Sequence, residues 1–276
     1  MIEVLAFRML GYRHTRLSTN NPTHAKHIAD VSGSLVTKRK AQKCDQLDGW
    51  IDEFAIPNST TNIRLQAHKL HVLHTFLAEQ YRYKSDIKEV GVQPGDIVVD
   101  GGGCWGDTAL YFANTCGPNG QIHVFEFSQA NISLLNENVR SNPHLQSRIF
   151  LQERALWDES DLQISFSENG PSTQAIINST EGSNTGVTLS IDDWHKRSKL
   201  ERVDFIKLDV EGAEERCLLG AKNTIARFRP RLAVAVYHSL RDFVALPKLV
   251  DQFNPDYKMY LGHYTIQLEE TILFAE

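Results

Sequence analysis

The stretch Ile97-Val98-Val99-Asp100-Gly101-Gly102-Gly103-Cys104-Trp105-Gly106-Asp107 decides the fold. It opens on a short β-branched, apolar run, the composition of a strand buried on both faces. It then passes directly into G-x-G-x-x-G at Gly101, Gly103 and Gly106, followed by a helix-compatible segment at 107–115. In that context bare backbone can approach a nucleotide-like ligand, and the glycines let the helix pack close to the strand.

Two acids narrow the ligand. Asp100 stands just before the first glycine, where a dinucleotide pyrophosphate would meet an unwanted negative charge and the ammonium of S-adenosylmethionine a favourable one. Glu126 ends the next apolar run, Ile122 to Glu126, where a carboxylate can accept both ribose hydroxyls of either ligand. A nicotinamide-dependent oxidoreductase therefore stays as an alternative.

Further short apolar runs at 149–151, 203–208 and 232–237 alternate with helical patterns near 129–140, 212–227 and 241–253. This alternation predicts an α/β, Rossmann-like, mostly parallel sheet with right-handed crossovers. Tyr257 to Leu261 and Thr271 to Ala275 read as two final strands joined by a hairpin, and a polar insertion at 158–190 as a small edge hairpin. Upstream, Ile63, Leu65, Ala67, Leu70, Leu73 and Leu77 approximate a helical stripe, so a helix is expected near 62–83. Residues 1–45 read as a peripheral arm. His68, His71 and His74 on that helix read as a solvated or substrate-facing stripe rather than a metal site. Residues 1–89 are thus expected to form an N-terminal extension serving substrate docking or as a lid, and 90–276 the catalytic domain.

The charge follows the same division. Residues 1–90 carry 13 Lys/Arg against 9 Asp/Glu, and the remainder 16 against 25, so a weakly basic first third precedes an acidic domain. The excess is too small for a nucleic-acid surface, where a dense basic stripe is expected. Apolar runs fall short of a membrane span and no signal-peptide block is present, so a cytoplasmic location is expected. The cysteines lack C-x-x-C spacing and read as reduced thiols.

The segment Val203-Asp204-Phe205-Ile206-Lys207-Leu208-Asp209-Val210-Glu211-Gly212-Ala213-Glu214 resembles the D-F-I-K-x-D-V-E-G-A-E signature of FkbM-type methyltransferases. Gly95 to Gly103, Val124 to Glu126, Asn136 to Asn142, Thr188 to Asp192, Tyr237-His238 and Glu270 to Ala275 agree in order, over about residues 80–276. The resemblance implies a class I methyltransferase sheet with an antiparallel final strand, and S-adenosyl-L-methionine as methyl donor, with S-adenosylhomocysteine as product. It implies O-methylation of a hydroxyl on a saccharide or natural-product intermediate, as in secondary metabolism, with N-methylation of an amide or amine on a peptide as the alternative. The chain departs from the usual D-x-G-A-N loop at Gly103-Cys104, and carries Phe127 where a proline commonly stands.

These readings place Asp100, Gly101, Gly102, Gly103, Gly106, Glu126, Phe127, Arg154, Ala155 and Asp209 at the cofactor. His238, just after the fifth strand, is expected to act as general base, the alternatives being a substrate hydrogen bond or a structural role. Asp209 and Glu211 are expected to orient substrate and the methionine ammonium. No metal is expected, because Tyr237-His238 occupies the position where a second carboxylate would be needed. The expected partner is a small-molecule or peptide acceptor, with a homodimer admissible.

Overall fold

The computed structural model describes residues 35–38, 43–44, 49–57, 62–177, 184–265 and 270–276. Most of the expected arm at 1–45, and residues 178–183 of the insertion, lie outside the described residues. Seven strands form the central sheet: β1 Ile97–Gly101, β2 Gln121–Phe125, β3 Ile149–Gln152, β4 Phe205–Leu208, β5 Arg231–Ala235, β6 Met259–His263 and β7 Thr271–Ala275. Their order is β6-β7-β5-β4-β1-β2-β3. Pairing is parallel from β5 through β3, and β7 runs antiparallel to both β5 and β6. The expected α/β sheet with an antiparallel final strand is therefore the observed one.

Successive strand side chains face opposite sides, which turns each apolar run into two cores. Val98 and Phe205 join Leu110 and Phe112 of α2 (Asp107–Cys116; α1 is Lys69–Val72) on one face. Val99, Ile206 and Leu232 join Trp194 and Leu246 on the other. Trp194 is core packing. The 158–190 insertion pairs strands 163–166, 176–177 and 184–189 beside the main sheet. Among the described residues no helix is long and apolar enough to cross a membrane.

The helix expected near 62–83 is a strand at Ile63–His68, followed by α1 and a π-helical turn, Leu73–Leu77. Ile63, Leu65 and Ala67 are buried alternately with exposed or half-buried Arg64 and Gln66. That period of two lets the strand pair antiparallel with Gly49–Ile56. The boundary expected at residue 90 does not separate two cores either, because Phe54, Ile63, Leu65 and Leu73 share one cluster with Leu110 and Phe112.

The free edge of that strand is held by two buried asparagines at the end of α3 (Gln129–Arg140) and just beyond it. Asn138 Oδ1 accepts the Gln66 N–H at 2.7 Å while its Nδ2 donates to Gln66 O at 2.9 Å and Trp105 O at 2.8 Å. Asn142 grips Arg64 the same way, at 2.9 and 2.6 Å. Asn138→Ala should cost about 2–3 kcal/mol by leaving buried backbone groups unpaired. Thermal unfolding checks this together with limited proteolysis, which should now cut within residues 49–77; an unchanged midpoint would contradict the docking role.

Candidate active site

The carboxyl ends of β1, β2, β4 and β5 open onto a cavity of about 540 Å³. Gly102, Glu126, Phe127, Arg154, Ala155, Asp209, Glu211 and His238 all line it. Asp100, Gly101, Gly103 and Gly106 do not. They stand behind the wall and shape it.

Asp100 is fully buried. Its Oδ2 accepts the Thr108 hydroxyl at 2.7 Å and its Oδ1 lies 3.1 Å from Lys207 Nζ, itself 1% exposed. The expected contact between Asp100 and a ligand ammonium is thereby corrected: its charge is spent on Lys207. Burial opposes the lysine's charge, but Asp100 and Asp209 outweigh that and raise its pKa, so it stays a cation. Lys207 also donates to the carbonyls of Gly101 (3.0 Å) and Gly102 (2.7 Å), which fixes the loop. Gly102 has φ +80°, and a Cβ there would sit 1.9 Å from Asp209 O. At Gly103 a Cβ would fall 2.1 Å from Val124 Cγ1. These glycines let the loop approach β4 and β2.

Glu126 binds the loop from the other side. Its Oε2 accepts the Cys104 N–H at 2.9 Å, and its Oε1 accepts those of Phe127 (2.7 Å) and Ser128 (2.9 Å). Phe127 packs edge-on against Phe166 of the insertion, with ring centroids 4.9 Å apart. Pro171, Thr173 and Ala175 of the insertion continue this wall. Burial first, then Asp107 and Glu126, hold the Cys104 thiol well above its usual pKa, so it is a packed, inert thiol.

The other end of the cavity is polar. Asp209 accepts the Tyr81 hydroxyl at 2.6 Å and that of Tyr237 at 3.1 Å. His238 Nε2 lies 3.6 Å from Asp209 and 3.7 Å from Glu211, and its Nδ1 lies 3.1 Å from Glu214. Burial works against the imidazolium, but Glu211, Glu214 and Asp209 together push its pKa up to about 11. His238 is therefore protonated at neutral pH and does not suit the expected role of general base. Asp209, Glu211 and His238 each offer one ligand atom within 4.8 Å of the others, a set that could hold a cation. Cys104, Glu211 and Glu270, three rim residues, adopt left-handed backbone at φ 43°, 55° and 57°, as residues at ligand clamps often do.

Residues from the N-terminal segment complete the wall. His71 Nδ1 faces Asp107 Oδ1 at 3.4 Å, and His74 Nδ1 faces Glu270 Oε1 at 3.3 Å. The histidine stripe is thus cavity-facing at two positions, while His68 caps α1. The three-residue spacing signalled a common face. Nothing local signalled Asp107, Glu270 or Tyr81, because each pairing joins segments remote in sequence.

The Methyltransferase FkbM domain model matches residues 89–265, more than half of the chain. No curated protein matches it. Methyltransferase FkbM from Methylobacillus flagellatus KT has a similar fold, with a TM-score of 0.56 and 20% identity over 75% of this chain and 53% of that one. The chain therefore spans about half the length of that relative. Aeropyrum pernix fibrillarin, solved with natively bound S-adenosyl-L-methionine, is similar at a TM-score of 0.43 and 16% identity, over 67% of each chain.

Proposed function

The chain belongs to the FkbM methyltransferase family, and from that premise we propose that it transfers a methyl group from S-adenosyl-L-methionine to a hydroxyl oxygen of a polyhydroxylated acceptor, a saccharide or natural-product intermediate. The family sets aside the nicotinamide-dependent alternative. The observation that carries the acceptor class is the polar lining of the cavity, to which Gln80, Tyr81, Asp209, Tyr237 and Glu270 all contribute. A hydroxyl-rich occupant both donates to and accepts from such a lining, whose polar groups are costly to leave unpaired.

The residues fit the cofactor. Glu126 would present its carboxylate to the ribose hydroxyls, Phe127, Arg154 and Ala155 would flank the adenine, and the Lys207-braced turn at Gly102 would receive the methionine end. The bound cofactor supplies an electrophilic methyl group on a sulfonium. The protein contributes alignment and exclusion of water, since an in-line displacement that disperses charge needs little else beyond a proton acceptor. Tyr81 and Tyr237 stay neutral donors, their pKa values held well above the usual range by burial and then Asp209. They hold Asp209 against the polar end, and the His238 imidazolium balances its neighbouring carboxylates without a metal. N-methylation of an amine is the second reading, favoured by the carboxylates of Asp209, Glu211 and Glu270 on one wall.

Calorimetric titration with S-adenosylhomocysteine should give a dissociation constant of roughly micromolar order, about −8 kcal/mol. Product mass spectrometry across saccharide and amine acceptors should show one added methyl on the hydroxyl class, at a rate unchanged by dialysis against EDTA. Absence of binding sinks the cofactor assignment, methylation confined to amines sinks the acceptor class, and activity lost to EDTA and restored by Mg2+ assigns the His238 cluster to a metal.

A further inference from the structure

Methylation of a hydroxyl needs a destination for the acceptor's proton, and both ring nitrogens of His238 already face carboxylates, Asp209 and Glu211 at Nε2 and Glu214 at Nδ1. His71 offers one. Its ring stacks on Trp105, centroids 4.6 Å apart at 27°, and its Nδ1 faces Asp107 Oδ1 at 3.4 Å. The second oxygen of Asp107 accepts the Thr75 hydroxyl at 2.6 Å, so the carboxylate is fixed on both sides. A histidine held at Nδ1 by a buried carboxylate keeps its Nε2 as the free hydrogen-bonding atom, in the tautomer that can receive a proton.

We propose that His71, oriented by Asp107, is the general base that takes the acceptor's hydroxyl proton. The inference rests on the methyl-transfer reading above. The O–H bond breaks with its proton going to His71 Nε2; the oxygen pair forms the new O–CH3 bond; the S–CH3 pair returns to sulfur. One positive charge disappears at the sulfonium and one appears on the imidazole, beside a carboxylate placed to receive it. The position fits, because His71 lines the same cavity as Asp209, Tyr237 and Glu270, and the charges of Asp209 and Glu270 act on its ring. His74 is the rival on the same segment, but its partner Glu270 has a second oxygen without a hydrogen bond among the described residues.

Charged groups around His71 set its titration. Burial lowers its pKa, and Asp107 from α2, Glu270 ahead of β7 and Asp209 after β4 together raise it above 6.5. Lys207 acts on the other side of Asp107 and favours its ionised form. A base must be deprotonated, so turnover should rise with pH through the His71 pKa to a plateau.

The test has two readouts. In wild type saturated with S-adenosylhomocysteine, the His71 ring followed by NMR should titrate above the free-histidine value near 6.5, and in Asp107→Asn lower than in wild type. This measurement needs no acceptor, so an unshifted His71 overturns the dyad whatever the enzyme methylates. For turnover, His71→Ala should lower kcat about 100-fold or more while S-adenosylhomocysteine affinity stays within about threefold. His71→Gln, which keeps the polar shape, should not restore it. In Asp107→Asn the acid limb of the pH–rate profile should move down with the NMR value. Wild-type kcat in His71→Ala, or a loss matched by lost cofactor affinity, overturns the base role. A wild-type enzyme inert on every hydroxyl acceptor, with His71 shifted as expected, overturns the acceptor class and the proton transfer assigned to His71, and leaves the dyad standing.

Discussion

Lys207→Met is expected to lower the thermal unfolding midpoint by roughly 10 °C and to abolish detectable binding of S-adenosylhomocysteine. Lys207 and Asp100 are both essentially inaccessible to solvent, and among the described residues no other cation touches that carboxylate. Removing one partner of a buried ion pair typically costs about 3–5 kcal/mol, because the remaining charge stays in a poorly solvating interior. For a chain of this size each kcal/mol moves the midpoint by about 2–4 °C. The same methionine also releases the Gly101 and Gly102 carbonyls, and with them the turn on which the cofactor loop depends. The double variant Lys207→Met with Asp100→Leu separates the two effects. Stability should largely return, since an apolar pair can replace a buried ion pair at little cost, whereas binding should not. A single variant that melts within about 2 °C of wild type would remove Lys207 from this role.

The second large effect is expected at Glu126. Glu126→Gln should weaken S-adenosylhomocysteine affinity at least 100-fold, about 3 kcal/mol, by calorimetry. The carboxylate accepts three backbone N–H groups, from Cys104, Phe127 and Ser128, and such charge-assisted bonds are about twice as strong as neutral ones. A glutamine turns an NH2 toward one of these donor sites and also removes the acceptor meant for the ribose hydroxyls. Glu126→Asp keeps the charge on a shorter arm and should fall between. Unchanged affinity in Glu126→Gln would exclude the ribose contact and leave Glu126 a purely structural clasp.

The two variants also separate what could be read at Glu126 from what could not be read at Lys207. A carboxylate ending the strand after a glycine loop is a local pattern, and the structure puts Glu126 on the cavity wall where that pattern points. Lys207 was legible only as one letter of the D-F-I-K run. Asp100 shows the same limit from the other side: its position before the glycines suggested a ligand contact, and the buried lysine on the neighbouring strand had already claimed its charge. The structure puts His238 on the cavity wall, but the three carboxylates around it come from the β4 loop and the helix after it.

By itself the sequence determined the strands of the central sheet, that they run mostly parallel up to a final hairpin, the glycine loop and the family resemblance, because alternation, apolar runs and turn residues act over a few neighbouring positions. The tertiary structure alone decided the protonation and partnering of the site. It converted the supposed docking helix into a strand clasped by Asn138 and Asn142, and brought His71, His74 and Tyr81 against Asp107, Glu270 and Asp209. The physical reason is that a buried charge takes its pKa and its role from whatever lies within a few ångströms in a poorly screening interior. Those neighbours are set by how the chain packs, whatever their separation along it.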